Sequence, residues 1–306
     1  MDESFLKNKL VAVLMGGPGA EREVSLRSGA AVARALRGCG ADVREIDVTG
    51  SQLDLPAGTF LAFNMIHGTF GEDGQVQALL DTAGVPYTGD GVAASRLAFD
   101  KILTKKCFDA AGVPTARWEL LARGQQPGLV PPYVVKAPRQ GSSVGVHIVK
   151  DPVEASAALA DCLGYSEEIL VEEFTQGREL TVGVLGDRAL PVIEIVPHEG
   201  FYDYEHKYTK GASDYFVPAA IGEDATAAVQ AAALAAHRAL GLEVYSRVDI
   251  ILSPGGSLNV MEANTIPGMT ETSLQPKAAD AVGISFPQLC LRIAEISLKR
   301  FGEGKS

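Results

Sequence analysis

The hydrophobic residues of the first 90 positions follow two kinds of spacing. Short apolar runs, such as 10–15 before Gly16-Gly17, have the length and composition of buried parallel strands. Between these runs, apolar residues recur at helical spacing and the segment ends at a glycine. Strands that alternate with helices predict a parallel sheet covered by helices on both faces. The predicted strands are 10–15, 42–48 and 59–66, and the predicted helices are 21–38 and 75–83.

A different pattern begins after Gly89-Asp90-Gly91. A helix is predicted at 95–111, and the short strands that follow it are spaced for hairpins in a small antiparallel sheet. From residue 180 onward the pattern gives strands, an irregular segment, an alanine-rich helix, a hairpin and a last helix. An α/β chain of three lobes packed around shared clefts is therefore predicted. The remaining predicted strands lie near 118 and at 133–136, 146–149, 169–173, 180–185 and 191–196, the hairpin at 248–263, and the helices at 153–163, 225–240 and 286–301.

The composition narrows the class of protein. The chain has 306 residues, of which 46% are hydrophobic and 21% charged, as in ordinary globular proteins. Its formal net charge of −11 argues against a nucleic-acid or membrane partner, because polyanions would be repelled. The four cysteines lack metal-type spacing and suit a reducing compartment. No secretory signal is evident, and the longest charge-free apolar stretch, 225–236, is too short to span a bilayer, so a cytoplasmic protein is expected.

A hairpin at 247–264 carries the clearest candidate chemistry. If its turn is centred on Gly255-Gly256, Asp249 lies opposite Glu262 and Arg247 lies opposite Asn264, so these side chains share one face. Two carboxylates this close repel each other unless a cation lies between them. Oxygen ligands suit Mg²⁺ or Mn²⁺, which typically bind together with nucleotide phosphates. The alternative is an exposed acidic face in which the arginine forms a salt bridge.

Two loops are candidates for binding anions or ammonium groups. Lys136 ends a strand before a loop with Gly141 and Gly145, whose backbone N–H groups and serines could surround a phosphate, although a flexible hairpin turn is the alternative. Glu21 lies near a helix N-terminus and could hold an ammonium group or simply cap the helix. His67 follows another strand of the same parallel sheet, so it could share a pocket with Glu21 or be structural.

The loop that carries Glu21, which follows the first strand of the chain and is called the first loop below, also imitates a dinucleotide-binding loop. Asp47 lies near the end of the next strand, as an acid that binds ribose would. The GxGxxG spacing fails, because Arg22 occupies the position of the third glycine.

Two further segments suggest a lid and a purine site. Residues 200–216 are rich in aromatic and charged side chains without a clean period, which is typical of a lid or binding loop, or else of a tyrosine-rich edge-strand hairpin. In 172–179 a glycine interrupts a run of acidic residues, so the backbone could face a purine while Glu179 reaches the ribose hydroxyls.

Nine segments, in order along the chain, resemble motifs of the D-alanine–D-alanine ligases, members of the ATP-grasp superfamily. The resemblance extends from Leu10 to about Ile296, and it implies that three lobes clamp ATP: a parallel-sheet domain at 1–90, a central lobe at 91–178, and a C-terminal lobe at 179–306 with the metal site and a lid at 200–218. The nine segments are GGPGAEREVSLRSG, HGTFGEDG, PYTGDGVAAS, FDKILTK, VVKAPRQGSSVG, GRELTV, FYDYEHKY, RVDIIL and MEANTIPGMTETSL.

The resemblance also implies the roles of individual residues. Contacts with ATP are implied for Lys101, Lys136, Glu172, Phe174, Glu179 and Lys207, the last of these at the transferred phosphate. Two Mg²⁺ or Mn²⁺ ions are implied at Asp249, Glu262 and Asn264. Binding of the two D-alanines is implied for Glu21, His67, Ser273 and Leu274. An oxyanion hole is implied at Arg247 and the Gly268 N–H, and closure of the lid through hydrogen bonds of Ser142 and Tyr208 towards Glu21.

The implied reaction begins when the first D-alanine attacks the γ-phosphate and forms an acyl phosphate. The amine of the second D-alanine then displaces phosphate and gives the dipeptide, a precursor of peptidoglycan. The family habit implies a homodimer. Four positions depart from the family pattern: Ala137-Pro138 where Pro-Ser is usual, Ile266 in place of a common serine, and Thr175 where an apolar neighbour of adenine is frequent.

Other functions are compatible with parts of the sequence. A related ATP-grasp ligase could join D-alanine to D-lactate or D-serine, but Tyr208 and Lys207 favour the dipeptide enzyme. An NAD-dependent oxidoreductase is suggested by the first βα unit, although the missing third glycine counts against it. A catalytically inactive nucleotide sensor is disfavoured, because the full set of ionic residues is present.

Overall fold

The computed structural model describes residues 4–141, 144–198 and 212–302, and the chain forms three sheets within them. Ser142, Lys207 and Tyr208 lie outside the described residues, as does most of the predicted lid. The first sheet is parallel, in the order β2-β1-β3, as the alternating pattern predicts. Its elements are β1 (Leu10–Gly16), α1 (Arg22–Gly38), β2 (Asp42–Val48), β3 (Leu61–Asn64) and α2 (Gln75–Ala83).

The central strand β1 is apolar on both sides because helices cover both faces of the sheet. Val11 and Val13 belong to a core that includes Leu36 of α1. Their neighbours in sequence, such as Leu14, belong to the core on the opposite face, which includes Leu80 of α2. The strand alternates between the two cores, as a period of two requires.

The prediction of a single helix at 95–111 is wrong. The structure has two helices, α3 (Val92–Phe99) and α4 (Lys101–Ala111), separated by Asp100. Asp100 adopts extended dihedral angles (φ −85°, ψ 105°), and its side chain accepts hydrogen bonds from the N–H groups of Ile102 and Leu103. It therefore caps α4 and prevents α3 from continuing.

The second sheet is antiparallel, in the order β4-β7-β5-β6. The prediction of short strands paired through hairpins is confirmed. A capping box formed by Asp151 and Glu154 begins the helix α5, which packs on this sheet. The elements are β4 (Trp118–Ala122), β5 (Tyr133–Lys136), β6 (Val146–Val149), α5 (Pro152–Cys162) and β7 (Glu168–Glu173).

The third sheet is antiparallel, with five strands in the order β10-β9-β8-β11-β12. The short helix α7 lies in a segment for which no helix was predicted. The elements are β8 (Arg178–Leu185), β9 (Arg188–Pro197), β10 (Ser213–Phe216), α6 (Glu223–Ala239), β11 (Tyr245–Leu252), β12 (Leu258–Asn264), α7 (Leu274–Asp280) and α8 (Phe286–Gly302). Among the described residues, no helix is long and apolar enough to cross a membrane.

The packing of helices joins the three parts of the chain. Ala98 and Phe108, from α3 and α4, belong to the core under the five-stranded sheet, although the sequence places residues 91–178 in the central lobe. The domain boundaries themselves stay a prediction. At the other end of the chain, Ile293 of α8 shares a core with Leu36 of α1. The elements that bear the candidate site are therefore held together by shared cores.

Candidate active site

A single cleft between the three sheets gathers the predicted site. It is lined by residues from the parallel sheet, the four-stranded sheet and the five-stranded sheet. Every predicted site residue that the structure describes lies on its wall: Glu21, His67, Lys101, Lys136, Glu172, Phe174, Glu179, Arg247, Asp249, Glu262, Asn264, Gly268, Ser273 and Leu274. Seven of the nine motifs therefore meet in one place, while PYTGDGVAAS does not line the cleft and FYDYEHKY lies outside the described residues.

The acidic hairpin has the predicted pairs. Arg247 lies opposite Asn264, and Asp249 lies opposite Glu262, in the antiparallel pairing of β11 and β12. The pairing shifts by one residue next to these pairs, and Met261 is the extra residue on β12. The acidic and amide side chains therefore converge on one face, as the sequence indicates.

The turn of this hairpin differs from the prediction. Leu252 pairs with Leu258, and the Ser253 N–H donates to the Ser257 carbonyl, so the turn is centred on Gly255 alone. The bulge compensates for this shift, and the pairs farther from the turn have the predicted register.

The carboxylate of Asp249 has internal partners where the sequence suggested a metal ion. Arg247 donates from Nε to Oδ1 at 3.0 Å and from Nη2 to Oδ2 at 2.8 Å. Thr181 Oγ1 donates to Oδ1 at 2.6 Å, and Asn264 Nδ2 lies 3.3 Å from Oδ2. Glu262 Oε2 lies 3.7 Å from the Lys101 ammonium. The alternative interpretation was an exposed acidic face with an arginine salt bridge. The salt bridge is present, but Asp249 is buried rather than exposed.

The donor set of this face fits a hard divalent cation only in part. The described residues contain no group of three or more histidine, cysteine, aspartate or glutamate side chains placed to hold a metal. Two carboxylates and an amide oxygen are nevertheless what Mg²⁺ takes from a protein when phosphate oxygens and water complete its shell. The residues at positions 249, 262 and 264 therefore fit an ion that arrives with a nucleotide.

The loop after Lys136, residues 137–145, is predicted to bind phosphate and is called the phosphate loop below. It is held by the start of α4. Its ends are joined by a hydrogen bond from the Ala137 N–H to the Gly145 carbonyl, at 2.8 Å. Lys101 donates from its backbone N–H to Pro138 O at 3.0 Å and from Nζ to Gln140 O at 2.7 Å. Because Asp100 fixes the helix at this residue, the cap of α4 also fixes the loop.

A buried charge cluster lies behind this loop. Glu172 is 2% exposed, and its Oε1 and Oε2 each lie 3.1 Å from an ammonium group, that of Lys136 and that of Lys105, respectively. Burial opposes the ionisation of Glu172, but the two ammonium groups outweigh it and lower the pKa of the carboxyl. Sequence reasoning missed Lys105, although its position four residues after Lys101 in a helix puts both lysines on one face.

The stretch predicted to hold adenine contains a polar contact at Thr175, where an apolar residue is expected. Asn259 Nδ2 donates to Thr175 Oγ1 at 2.9 Å, and Asn259 Oδ1 accepts from the Ala116 N–H at 2.8 Å. The threonine hydroxyl is therefore tied to β12, and Phe174 lines the cleft beside it.

Glu21 does not act as a helix cap. It occupies the residue before α1, but its side chain makes no capping hydrogen bond. Its Oε2 instead lies so close to two other loops that a Cβ added to Gly68 or Gly141 would stand 2.5 Å or 2.7 Å from it. The carboxylate thus lies where the first loop, the His67 loop and the phosphate loop meet.

His67 bridges two lobes through both ring nitrogens. Nδ1 donates to the Ile266 carbonyl at 2.7 Å, and Nε2 lies 3.3 Å from Ser28 Oγ. Burial disfavours its charged form, but Glu72, with an oxygen 3.7 Å from Nδ1, outweighs burial, so the pKa of His67 is raised. Burial also raises the pKa of Glu72. These contacts favour a role for His67 in positioning the loops around the cleft.

The loop between β12 and α7 is ordered by hydroxyl groups. Ser273 Oγ accepts from the Thr270 N–H at 3.0 Å and lies 2.7 Å from Thr270 Oγ1. A Cβ added to Gly268 would stand 3.0 Å from Ser273 Oγ. Ser273 is therefore a neighbour of Gly268, although the two residues are predicted to act in different steps of the reaction. Leu274 begins α7 beside them.

The contacts of the first loop argue against a dinucleotide site. Arg22, which stands in place of the third glycine, pairs with Asp47 at 2.7 Å and also donates to the Val48 carbonyl. The acid that would bind a ribose is thus already paired with an arginine.

Known proteins resemble this chain over nearly its whole length. Family models described as "D-ala D-ala ligase N-terminus" and "D-ala D-ala ligase C-terminus" match residues 40–90 and 108–295. The D-alanine–D-alanine ligase of Methylacidiphilum infernorum is 50% identical over 95% of this chain and 96% of its own. That of Syntrophotalea carbinolica is 47% identical over 98% of this chain and 100% of its own.

A solved structure agrees with these matches. The D-alanine–D-alanine ligase of Bacillus anthracis complexed with ATP superimposes with a TM-score of 0.86 and 32% identity, covering 97% of this chain and 99% of that one. The three-lobed α/β fold is thus confirmed. Because both family models match in chain order and full-length relatives reach half identity, the chain belongs to the D-alanine–D-alanine ligase family.

Proposed function

We propose that this protein joins two D-alanines into D-alanyl-D-alanine with conversion of ATP to ADP and phosphate, for peptidoglycan precursor synthesis. The observation that carries the proposal is the single cleft, in which basic, acidic and loop residues from three sheets line one wall. Membership of a family of ATP-dependent ligases supports the same activity.

The nucleotide end of the cleft is the side with Lys101 and Lys136. Their ammonium groups are suited to the phosphates as mobile point charges. Two Mg²⁺ or Mn²⁺ ions would be held by Asp249, Glu262 and Asn264, and they would supply charge neutralisation for the attack of one anion on another. The backbone near Phe174 would hold adenine, and Glu179 would bind the ribose.

The other end of the cleft receives the amino acids. The Glu21 carboxylate would bind the ammonium group of the first D-alanine, and His67 would position the loops that surround it. Ser273 and the start of α7 at Leu274 would bind the carboxylate of the second D-alanine. Ser142 and Tyr208 keep their proposed role in closing the site, and Lys207 keeps its proposed contact with the transferred phosphate. All three lie outside the described residues.

The chemistry takes place in two displacements. A carboxylate oxygen of the first D-alanine attacks the γ-phosphorus, and ADP leaves with the electrons of the broken P–O bond. The amine of the second D-alanine then attacks the acyl carbon, phosphate leaves, and the new amide loses a proton. Arg247 and the Gly268 N–H would stabilise the oxyanion that forms on the acyl carbon, in a site where water is excluded. A homodimer and a cytoplasmic location stay predictions.

One experiment tests the assignment. Purified protein is incubated with ATP, Mg²⁺ and D-alanine, and ADP, phosphate and the dipeptide are identified by mass. Parallel incubations contain L-alanine or a mixture of D-alanine and D-lactate. We expect the dipeptide with D-alanine only. Equal formation of a D-alanine–D-lactate ester at neutral pH would move the protein to the depsipeptide ligases, and no dipeptide under any condition would overturn the proposal.

A further inference from the structure

Lys105 is a buried cation that the proposed reaction leaves without a role. Its side chain is 1% exposed, and unlike Lys136 it does not line the cleft. A buried ammonium group is unfavourable unless it is paired, so its presence calls for an explanation. The surroundings of Lys105 supply one, because its nearest acid is Glu172, which does reach the cleft.

Lys105 is held through the Thr115 hydroxyl by the backbone of β12. Its Nζ donates to Thr115 Oγ1 at 2.5 Å, and Thr115 Oγ1 donates in turn to the Val260 carbonyl at 2.9 Å. The Val260 N–H is bound to Pro114 O at 2.8 Å. Lys105 is therefore anchored to β12, the strand that carries Glu262, and it cannot follow a ligand in the cleft.

Lys136 contacts the other oxygen of the same carboxylate from the side of the cleft. Its Nζ lies 3.1 Å from Glu172 Oε1, the same distance as that between Lys105 Nζ and Oε2. Lys136 is also more exposed, at 11%, on the wall of the cleft. Glu172 is thus shared between one fixed cation and one cation that can be drawn towards a ligand.

We propose that Lys105 is a positioning residue for ATP binding: it is the permanent counter-ion of Glu172, and it thereby leaves the Lys136 ammonium available to the ATP phosphates. This inference rests on the phosphate role proposed for Lys136. Without Lys105, the Glu172 carboxylate would hold Lys136 as its only cation, and each phosphate contact would leave a buried charge without a partner.

The first test replaces Lys105 with methionine, which has a similar length and no charge. In Lys105→Met, we expect the KM and Kd for ATP to rise about tenfold, with kcat within about threefold of wild type. Lys105→Arg keeps the charge and should recover most of the loss. Unchanged ATP binding in Lys105→Met would overturn the inference.

The double variant Lys105→Met/Glu172→Gln distinguishes charge from structure. Its matched reference is Glu172→Gln alone, which already lacks the carboxylate that would trap Lys136, so adding Lys105→Met to Glu172→Gln should change the Kd for ATP by less than about threefold. The double variant leaves no buried carboxylate without a cation, so it remains assayable if Lys105→Met folds poorly. If adding Lys105→Met to Glu172→Gln weakened ATP binding by the same tenfold as in the wild-type background, the inference would be overturned.

The pH profile gives a readout that a structural role would not change. In Lys105→Met, ATP draws away the only cation near Glu172, and the buried carboxylate then takes up a proton. ATP affinity should therefore increase from about pH 8 to about pH 6 relative to wild type. The charged groups that face Lys105 are Glu172, Lys136 and Asp109, and none is altered in this variant. A profile parallel to that of wild type would contradict the proposed coupling.

Lys136→Met separates this inference from the proposed function. If Lys136→Met binds ATP like wild type, the phosphate role of Lys136 fails and the inference fails with it. If Lys136→Met is weakened and Lys105→Met is not, only the inference is overturned. The expected result is weakened binding in both variants, with no further loss when Lys105→Met is added to Glu172→Gln.

Discussion

Arg247 and Asp249 form a two-point ion pair on one face of β11, with Nε–Oδ1 and Nη2–Oδ2 distances of 3.0 Å and 2.8 Å. Residues two apart in a strand point to the same side, which allows this contact. The guanidinium proposed for the oxyanion hole and the carboxylate proposed for a metal ion are therefore one unit. The pair holds each group in a defined orientation towards the cleft.

This pair distinguishes two substitutions that should both abolish turnover. Asp249→Asn removes the charged partner of Arg247, whose side chain is 16% exposed, and should lower the free energy of unfolding by about 2–4 kcal/mol. Glu262→Gln affects a side chain that is 26% exposed and 3.7 Å from its cation, so the change should stay within about 0.5 kcal/mol. Urea denaturation measures the free energy of unfolding of both variants.

Two results would contradict this prediction. Equal stability of the two variants would show that the Arg247–Asp249 pair contributes nothing. Near-normal turnover of Glu262→Gln at saturating Mg²⁺ would show that the metal assignment is wrong.

The contact between Gly141 and Glu21 predicts a defect in substrate binding without loss of fold. In Gly141→Ala the new methyl group would displace the flexible end of Glu21, whose Oε2 would otherwise be 2.7 Å away. Loss of a charge-assisted hydrogen bond should lower kcat/KM for D-alanine by about 10–100-fold, with a small change in ATP affinity. Gly50→Ala, where nothing lies within 4 Å, is the matched control. Equal kinetics for both variants would show that Glu21 does not contact the substrate.

The cap of α4 links helix stability to nucleotide binding. Asp100→Ala should lower the free energy of unfolding by about 1–2 kcal/mol, because two N–H groups lose their acceptor. Asp151→Ala removes the cap of α5 and should have a similar effect on unfolding. Only Asp100→Ala should raise the KM for ATP, by about 3–10-fold. The reason is that this cap fixes the position of Lys101, and Lys101 in turn holds the phosphate loop. A similar rise in KM for Asp151→Ala would attribute the effect to general destabilisation.

A buried carboxyl outside the cleft makes stability depend on pH. Burial raises the pKa of Asp90 to about 6, and its Oδ1 accepts from the N–H groups of Glu243 and Val244. Between about pH 4 and pH 6 the folded chain keeps a proton that the unfolded chain loses, so stability should fall as pH rises through this window.

Asp90→Asn tests this dependence. The amide cannot ionise and still offers a carbonyl oxygen to both N–H groups, so the fall of stability across the window should shrink by about 2–3 kcal/mol. Denaturation at several pH values measures how the free energy of unfolding changes with pH. The control is Asp187→Asn, because Asp187 is exposed. An unchanged slope in Asp90→Asn would mean that Asp90 does not titrate in this range.

Local patterns predicted the elements well because each strand and helix carries its own periodicity. They failed where one residue decides between two regular structures. The apolar spacing of 95–111 continues through Asp100, so the break depends on a side-chain cap that the period cannot show. Met261 is likewise invisible as a bulge, because a strand with one extra residue has the same composition.

The candidate site was predictable as a set of residues but not as a set of contacts. The pairing of Asp249 with Glu262 followed from counting along one hairpin. The cluster of Lys105 with Glu172 joins a helix of one segment to a strand of another, and no local pattern contains that contact. His67 likewise contacts Ser28 and the Ile266 carbonyl, which are remote from it in sequence.

The packing of α8 against α1 has a consequence for how the chain is made. Leu36 near the start of the chain and Ile293 near its end belong to one core, so the parallel sheet lacks part of its cover until the last helix has left the ribosome. During synthesis, nearly all of the polypeptide exists before the apolar face of α1 can be closed. Until then the apolar face of α1 is exposed, as in the partly folded intermediates that aggregate, so a chain truncated before α8 should be insoluble.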